Sequence, residues 1–208
     1  MKLTRRRLLS SSVGALLASE GGPGLARSRS SPATDFYSQL VKANDARIPG
    51  LLAAVNAPAT RGGGVRRVAA NLQGLTAAFC APESSYYQAA SLVAPMEQTS
   101  RLILDAQHAD GTIDSGNLES PPDTGFVVEA LCPVLAVLRK SNSRLTQGVC
   151  AHLEKFILAA GEALVTGGVH TPNHRWVVCS ALAQTHSLFP AAKYVNRIND
   201  WLGEGIDI

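Results

Sequence analysis

In the stretch Phe126-Val127-Val128-Glu129-Ala130-Leu131-Cys132-Pro133-Val134-Leu135-Ala136-Val137-Leu138, the residues Phe126, Val127, Ala130, Leu131, Val134 and Leu138 recur at helical spacing. That is the pattern of a helix with one buried stripe. Pro121-Pro122-Asp123-Thr124, immediately ahead, marks its start, since proline is tolerated in a first turn and Asp123 is a candidate cap.

The same period extends outward in both directions. Val65, Val68, Leu72, Leu75 and Phe79 define an earlier helix. Phe36, Leu40, Val41, Ile48, Leu51, Leu52 and Val55 define one before it, with Pro49-Gly50 as an expected kink or break. A helix from Tyr86 to Gln107, bent by Pro95, fills the interval before Pro121. Leu145 to Val165 and His174 to Phe189 follow, and Pro190 to Leu202 is the seventh, with Pro190 in its first turn. β-prone runs such as Val177-Val178 fall inside helical patterns. The predicted class is all-α, built of antiparallel helical hairpins.

Composition supports a packed core. Of 208 residues, 46% are hydrophobic and 17% charged, which excludes a disordered, solvating chain. Aromatics are only 5%, so Ala, Leu and Val must fill the interior. The formal net charge of +3 is carried by the leader, where Lys2, Arg5, Arg6 and Arg7 stand against Glu20. The remaining residues balance. With no basic excess, no nucleic-acid partner is expected.

Residues 1–26 read as an export signal. Thr4-Arg5-Arg6-Arg7-Leu8-Leu9 resembles the twin-arginine pattern, and Leu8 to Ala18 is apolar but too short to span a bilayer. Gly24-Leu25-Ala26 places small residues at a cleavage site. The alternative is a basic amphipathic first helix, against which Ser10-Ser11-Ser12 and Gly21-Gly22-Pro23-Gly24 argue. The expected location is therefore periplasmic or extracellular. The twin-arginine export machinery is an expected partner, and no stable membrane anchor is foreseen. Cys80, Cys132, Cys150 and Cys179 form no CxxC pair, which points to buried thiols, with one disulfide left open.

The links between helices are unequal by sequence. Those at Ala81–Ser84, Lys140–Ser143 and Phe189-Pro190 look tight, and those at Ala57–Gly64, His108–Asp123 and Thr166–Asn173 look long. In an up-and-down series, alternate links share an end, so the long ones are expected on one functional face. Gly203-Glu204-Gly205-Ile206-Asp207-Ile208 reads as the opening of another long link, so a longer parent protein is expected.

Two links carry chemistry. Asp110-Gly111-Thr112-Ile113-Asp114-Ser115-Gly116-Asn117-Leu118-Glu119-Ser120-Pro121-Pro122-Asp123 offers four carboxylates on Gly- and Pro-fixed turns. Such groups can act as acid and base or grip sugar hydroxyls. Asp123 can equally be a helix cap. Its spacing does not match an EF-hand loop. Gly167-Gly168-Val169-His170-Thr171-Pro172-Asn173-His174-Arg175-Trp176 gathers two imidazoles, an amide, a guanidinium and an indole where a loop enters a helix. A helix start favours an anion, Arg175 can pair a carboxylate, and His174 carries an imidazole, the side chain suited to proton transfer. Asn173 can instead cap the helix, and Trp176 can stack on a sugar or belong to the core. No metal and no cofactor are expected, because Pro172 interrupts the helix that would align His170 with His174.

Asp-Gly-Thr-Ile-Asp at 110–114, Ser-Pro-Pro-Asp-Thr at 120–124 and Thr-Pro-Asn-His-Arg-Trp at 171–176 resemble the α/α-toroid domain of bacterial heparinase II/III-like proteins and related polysaccharide lyases. The likeness runs from about Asp110 to Trp201. It implies that residues 27–208 form the first part of such a toroid. It also implies a polysaccharide or oligosaccharide substrate containing uronate, cleaved by β-elimination. Asn173 would neutralise the uronate carboxylate, with His174 and Arg175 beside it, and Asp110, Asp114, Asn117, Asp123, His170 and Trp176 would contact glycan. No catalytic tyrosine can be assigned within the 208 residues and about half the helices of such a ring are missing from them, so no turnover is expected of them alone. Two other functions stay open: a glycoside hydrolase with an Asp/Glu pair, and a non-catalytic periplasmic glycan-binding protein.

Overall fold

The computed structural model describes residues 32–56, 64–115, 118–169 and 171–204. The expected leader, Asn117 and His170 lie outside these residues. The described part is all-helical apart from one minimal hairpin: α1 (Pro32–Asn56), α2 (Gly64–Cys80), α3 (Val93–Asp105), α4 (Pro121–Ser141), α5 (Gln147–Thr166), α6 (Pro172–Leu188) and α7 (Ala192–Gly203).

The helices form two layers. α2, α4 and α6 lie side by side in one, and α3 and α5 pack on them in the other, with α7 against α6 and α5. α1 covers α2 and the edge of α3. The short connections 142–146 and 189–191 force α4–α5 and α6–α7 into antiparallel hairpins. α4 is the centre of the molecule. Val127, Val128, Leu131, Leu135 and Leu138 are almost wholly buried there. Its length and hydropathy are those of a membrane span, and a little over half of that apolar window is buried inside the fold.

The structure corrects several expected boundaries. α1 runs unbroken through Pro49 and Gly50. Proline removes one helical hydrogen bond, but Val41, Ile48, Leu51 and Val55 all bury on one face, and that packing holds the helix together. α3 begins at Val93 instead of Tyr86, which leaves Pro95 in its first turn, where it breaks no helical bond. The segment turns instead: Asp45 accepts from Ser84 Oγ at 2.6 Å and from the Ser85 N–H at 2.7 Å, and Gln88, at φ +50°, donates its N–H back to the Phe79 carbonyl at 2.9 Å. α7 starts at Ala192, after Pro190.

These shifts remove the alternation of link lengths. The α2–α3 connection is long, and the α5–α6 connection, 167–171, matches α4–α5 in length. What distinguishes the ends is the common direction of α2, α4 and α6, whose first turns meet at one end through contacts described below. The four cysteines are free thiols. Burial pushes Cys132 up to about 12, partly offset by a hydrogen bond with Thr185.

Candidate functional site

At the start of α4, the cap is Ser120 and not Asp123. Ser120 Oγ accepts from the Asp123 N–H at 3.2 Å and donates to the Asp123 carboxylate at 2.7 Å. Asp123 is thereby turned toward α2, where it pairs with Arg66. The Arg66 guanidinium also lies 4.0 Å from the centre of the Phe126 ring. Phe126 meets the His174 ring edge-on, with centroids 6.3 Å apart and planes at 87°. Arg66, Asp123, Phe126 and His174 thus join the first turns of α2, α4 and α6.

The acidic link is folded against this end. Asp114–Ser115 (β1) pairs antiparallel with Leu118–Glu119 (β2), Asp114 opposite Glu119. Thr124 Oγ1 accepts from the Ile113 N–H at 3.0 Å and donates to the Ser120 carbonyl at 2.7 Å, fastening the hairpin to α4. Gly111, at φ +90°, rests on α5 so closely that a Cβ would stand 2.2 Å from the Ala159 carbonyl oxygen. Gln107 Nε2 bridges the Gly111 and Phe156 carbonyls at 2.9 and 3.0 Å.

Each carboxylate of this link has a partner, and Asp114 and Glu119 share theirs. Asp110 accepts from the Thr112 N–H at 2.9 Å and the Thr112 hydroxyl at 2.7 Å, and these bonds hold its pKa below the usual carboxylate value. Asp114 lies 2.9 Å from His108 Nε2, with Glu119 3.8 Å from Nδ1. The hydrogen bond to Asp114, reinforced by the charges of Asp114, Glu119 and Asp110, raises the His108 pKa.

At α6 the structure again moves the cap. Thr171 occupies that position, while Asn173, expected as a possible cap, is exposed in the first turn. The Thr171 hydroxyl donates to Asn173 Oδ1 at 2.5 Å, so the amide nitrogen is the end of Asn173 that a ligand can use. Trp176 is 51% exposed, which places it outside the core. Arg175 pairs with Glu204 at 3.2 Å and lies 5.8 Å from the Trp201 ring centre. Arg197 stands 4.2 Å from the same ring and donates to the Gly167 carbonyl at 2.9 Å.

The structure therefore brings Asp123, His174 and their helix starts together, and places Asn173, Arg175 and Trp176 on the same turn of α6. Asp114 sits on the hairpin fastened to α4, and Asp110 on the turn just before it. Sequence reading missed Arg66, His108, Arg197, Trp201 and Glu204, because their roles arise only when α2, α3 and α7 are laid beside α4 and α6. The single local signal was His108 preceding the acidic run. Among the described residues, no three His, Cys, Asp or Glu side chains gather as metal ligands. Two open cavities lie elsewhere, where α2 and α4 end, one beside Val137 and the other beside Leu138, and none of these site residues lines them.

No protein-family model matches the chain, and no curated protein and no solved structure matches it.

Proposed function

We propose that this is an exported carbohydrate-active protein that recognises uronate-containing glycan at the end of the bundle where α2, α4 and α6 begin. In this reading the twin-arginine leader delivers the folded chain to the periplasm or beyond. Asn173 donates to the uronate carboxylate, His174 moves a proton, and Arg175 supplies positive charge. Neutralising that carboxylate is what β-elimination requires, because the proton removed lies beside it and negative charge builds there.

The observation that carries the reading is the pairing of three of the four acids in the acidic link with Arg66 and His108. Asp123 is matched by Arg66, Asp114 and Glu119 share His108, and Asp110, hydrogen-bonded by the neutral Thr112, keeps its charge. An otherwise repulsive loop is thereby partly neutralised toward a polyanion. Trp176 offers an exposed aromatic face for sugar stacking.

The test is incubation with a uronate polymer. The reading predicts retention on immobilised oligouronate, and chain ends with a 4,5-double bond, absorbing in the ultraviolet, wherever turnover occurs. New reducing ends without that absorbance would favour the hydrolase. Equal retention of neutral and uronate glycans without turnover would favour a binding protein.

A further inference from the structure

We propose that the groove between the start of α1 and the end of α2 is a second binding site, and that it takes a small amphiphilic amine: an apolar chain carrying a primary ammonium group. It lies at the end of the bundle where α2 and α4 finish, away from the glycan site, and is independent of the uronate reading.

The sequence leaves room there. Tyr37, Leu40, Val41 and Asn44 recur at i, i+3, i+4 and i+7, so they share one face of α1. Further along that face, Ile48 and Val55 are buried in the core. At the first turns the residues of α2 are Ala77, Ala78 and Ala81, which are too small to fill the space, and Val137 of α4 closes one side. The result is a cavity of about 400 Å³, within the range of small-molecule sites. Tyr37, Leu40 and Val137 stay 44%, 52% and 43% exposed, so an apolar chain laid between them would take apolar surface out of water.

The charged group on this groove is an acceptor. Asp45 takes one bond on each oxygen, from Ser84 Oγ at 2.6 Å and from the Ser85 N–H at 2.7 Å, and each oxygen keeps a further lone pair. Burial opposes its ionisation, but the bonds from Ser84 and Ser85 outweigh it and hold the carboxyl below the usual carboxylate value. Among the described residues no basic side chain pairs with it. Lys42 and Arg47, its neighbours on α1, are exposed and form no ion pair with it. Asn44 beside it donates through Nδ2 to the Gly74 carbonyl at 2.9 Å, which leaves Oδ1 as a second acceptor. An ammonium supplies the missing charge and three N–H donors on a compact head. A carboxylate would be repelled by Asp45, and an alcohol would leave its charge unmatched.

The experiment titrates the whole protein with hexylamine, hexanol and hexanoate, followed by NMR. Hexylamine should bind about five- to tenfold more tightly than hexanol, and hexanoate more weakly than either. Asp45→Asn, whose amide can still reach Ser84 and Ser85, should bring hexylamine down to the affinity of hexanol. Ala77→Leu, at an exposed position, fills the groove and should weaken both. Melting curves show that each variant is folded. A further comparison needs no substitution: hexylamine should slow alkylation of Cys80, which lines this groove, and leave Cys150, which lines the other cavity, unchanged. Hexylamine no tighter than hexanol, undiminished binding by folded Asp45→Asn, or equal protection of the two thiols overturns the proposal. Protection of Cys80 that rises with protein concentration in the absence of amine gives the groove to a second copy of the chain, and overturns it as well.

Discussion

The guanidinium of Arg66 lies 4.0 Å over the Phe126 ring while it pairs with Asp123, so one side chain of α2 grips two residues of α4. Both interactions are partly exposed, with the Arg66 side chain 48% accessible. Arg66→Ala is therefore expected to cost about 1 kcal/mol, split between the ring contact and the ion pair. Urea unfolding measures it, and the loss should shrink in high salt.

Gly111 is expected to be intolerant of any side chain. Its φ of +90° disfavours an L-residue, and the Ala159 carbonyl occupies the place of a Cβ. Gly111→Ala should lower stability by about 2–4 kcal/mol, combining backbone strain with overpacking against α5. Thermal melting checks this. Gly168→Ala, where nothing lies within 4 Å of the added carbon, is the control.

The hairpin should respond to pH through His108. Its hydrogen bond to Asp114, with the charges of Asp114, Glu119 and Asp110, raises the imidazole pKa. A raised value means that folding favours the protonated ring. The stabilisation is then fully present below the unfolded value of about 6.5 and is lost as pH rises through the higher folded value. NMR titration of His108 should show a midpoint above the ordinary one, brought down by Asp114→Asn. Amide protection in the hairpin should fall over the same interval.

Much of this architecture was legible from periodicity alone. The stripe on α4 and the prolines at its start mark the central helix, because burial and capping act locally there. The start of α3 was not legible, since the Asp45 carboxylate that holds Ser84 and Ser85 in turns comes from 40 residues earlier. Nor was α1 through Pro49, where tertiary burial of Ile48 and Leu51 outweighs a local breaker. At the site, Asn173, His174 and Arg175 are adjacent in sequence, so the sequence alone groups them as candidates. The contacts of Arg175 with Trp201 and Glu204 exist only once α7 folds back on α6. The capping alternatives for Asp123 and Asn173 give way to Ser120, which caps α4, and to Thr171, which holds the cap position of α6 without a side-chain capping bond.

Export offers an independent check. Replacing both Arg5 and Arg6 by Lys should hold the precursor in the cytoplasm, and cleavage of the unsubstituted chain should expose Arg27 as the new N-terminus. Fractionation and N-terminal mass analysis read the two outcomes. Unchanged appearance of the double variant outside the inner membrane would refute the twin-arginine reading.

The central claim is that Asn173 recognises a uronate carboxylate at the first turn of α6. Calorimetric titration of an oligouronate into the protein and into Asn173→Ala, with melting curves of both, tests it most directly. Loss of a hydrogen bond to a charged group predicts affinity weakened by about tenfold or more. Stability should change little, because Asn173 is exposed and its side chain accepts from the Thr171 hydroxyl and not from a first-turn backbone N–H. Equal affinity for the two proteins, or an early-melting variant that binds normally per folded molecule, would contradict the account and leave the Asn-His-Arg turn as architecture.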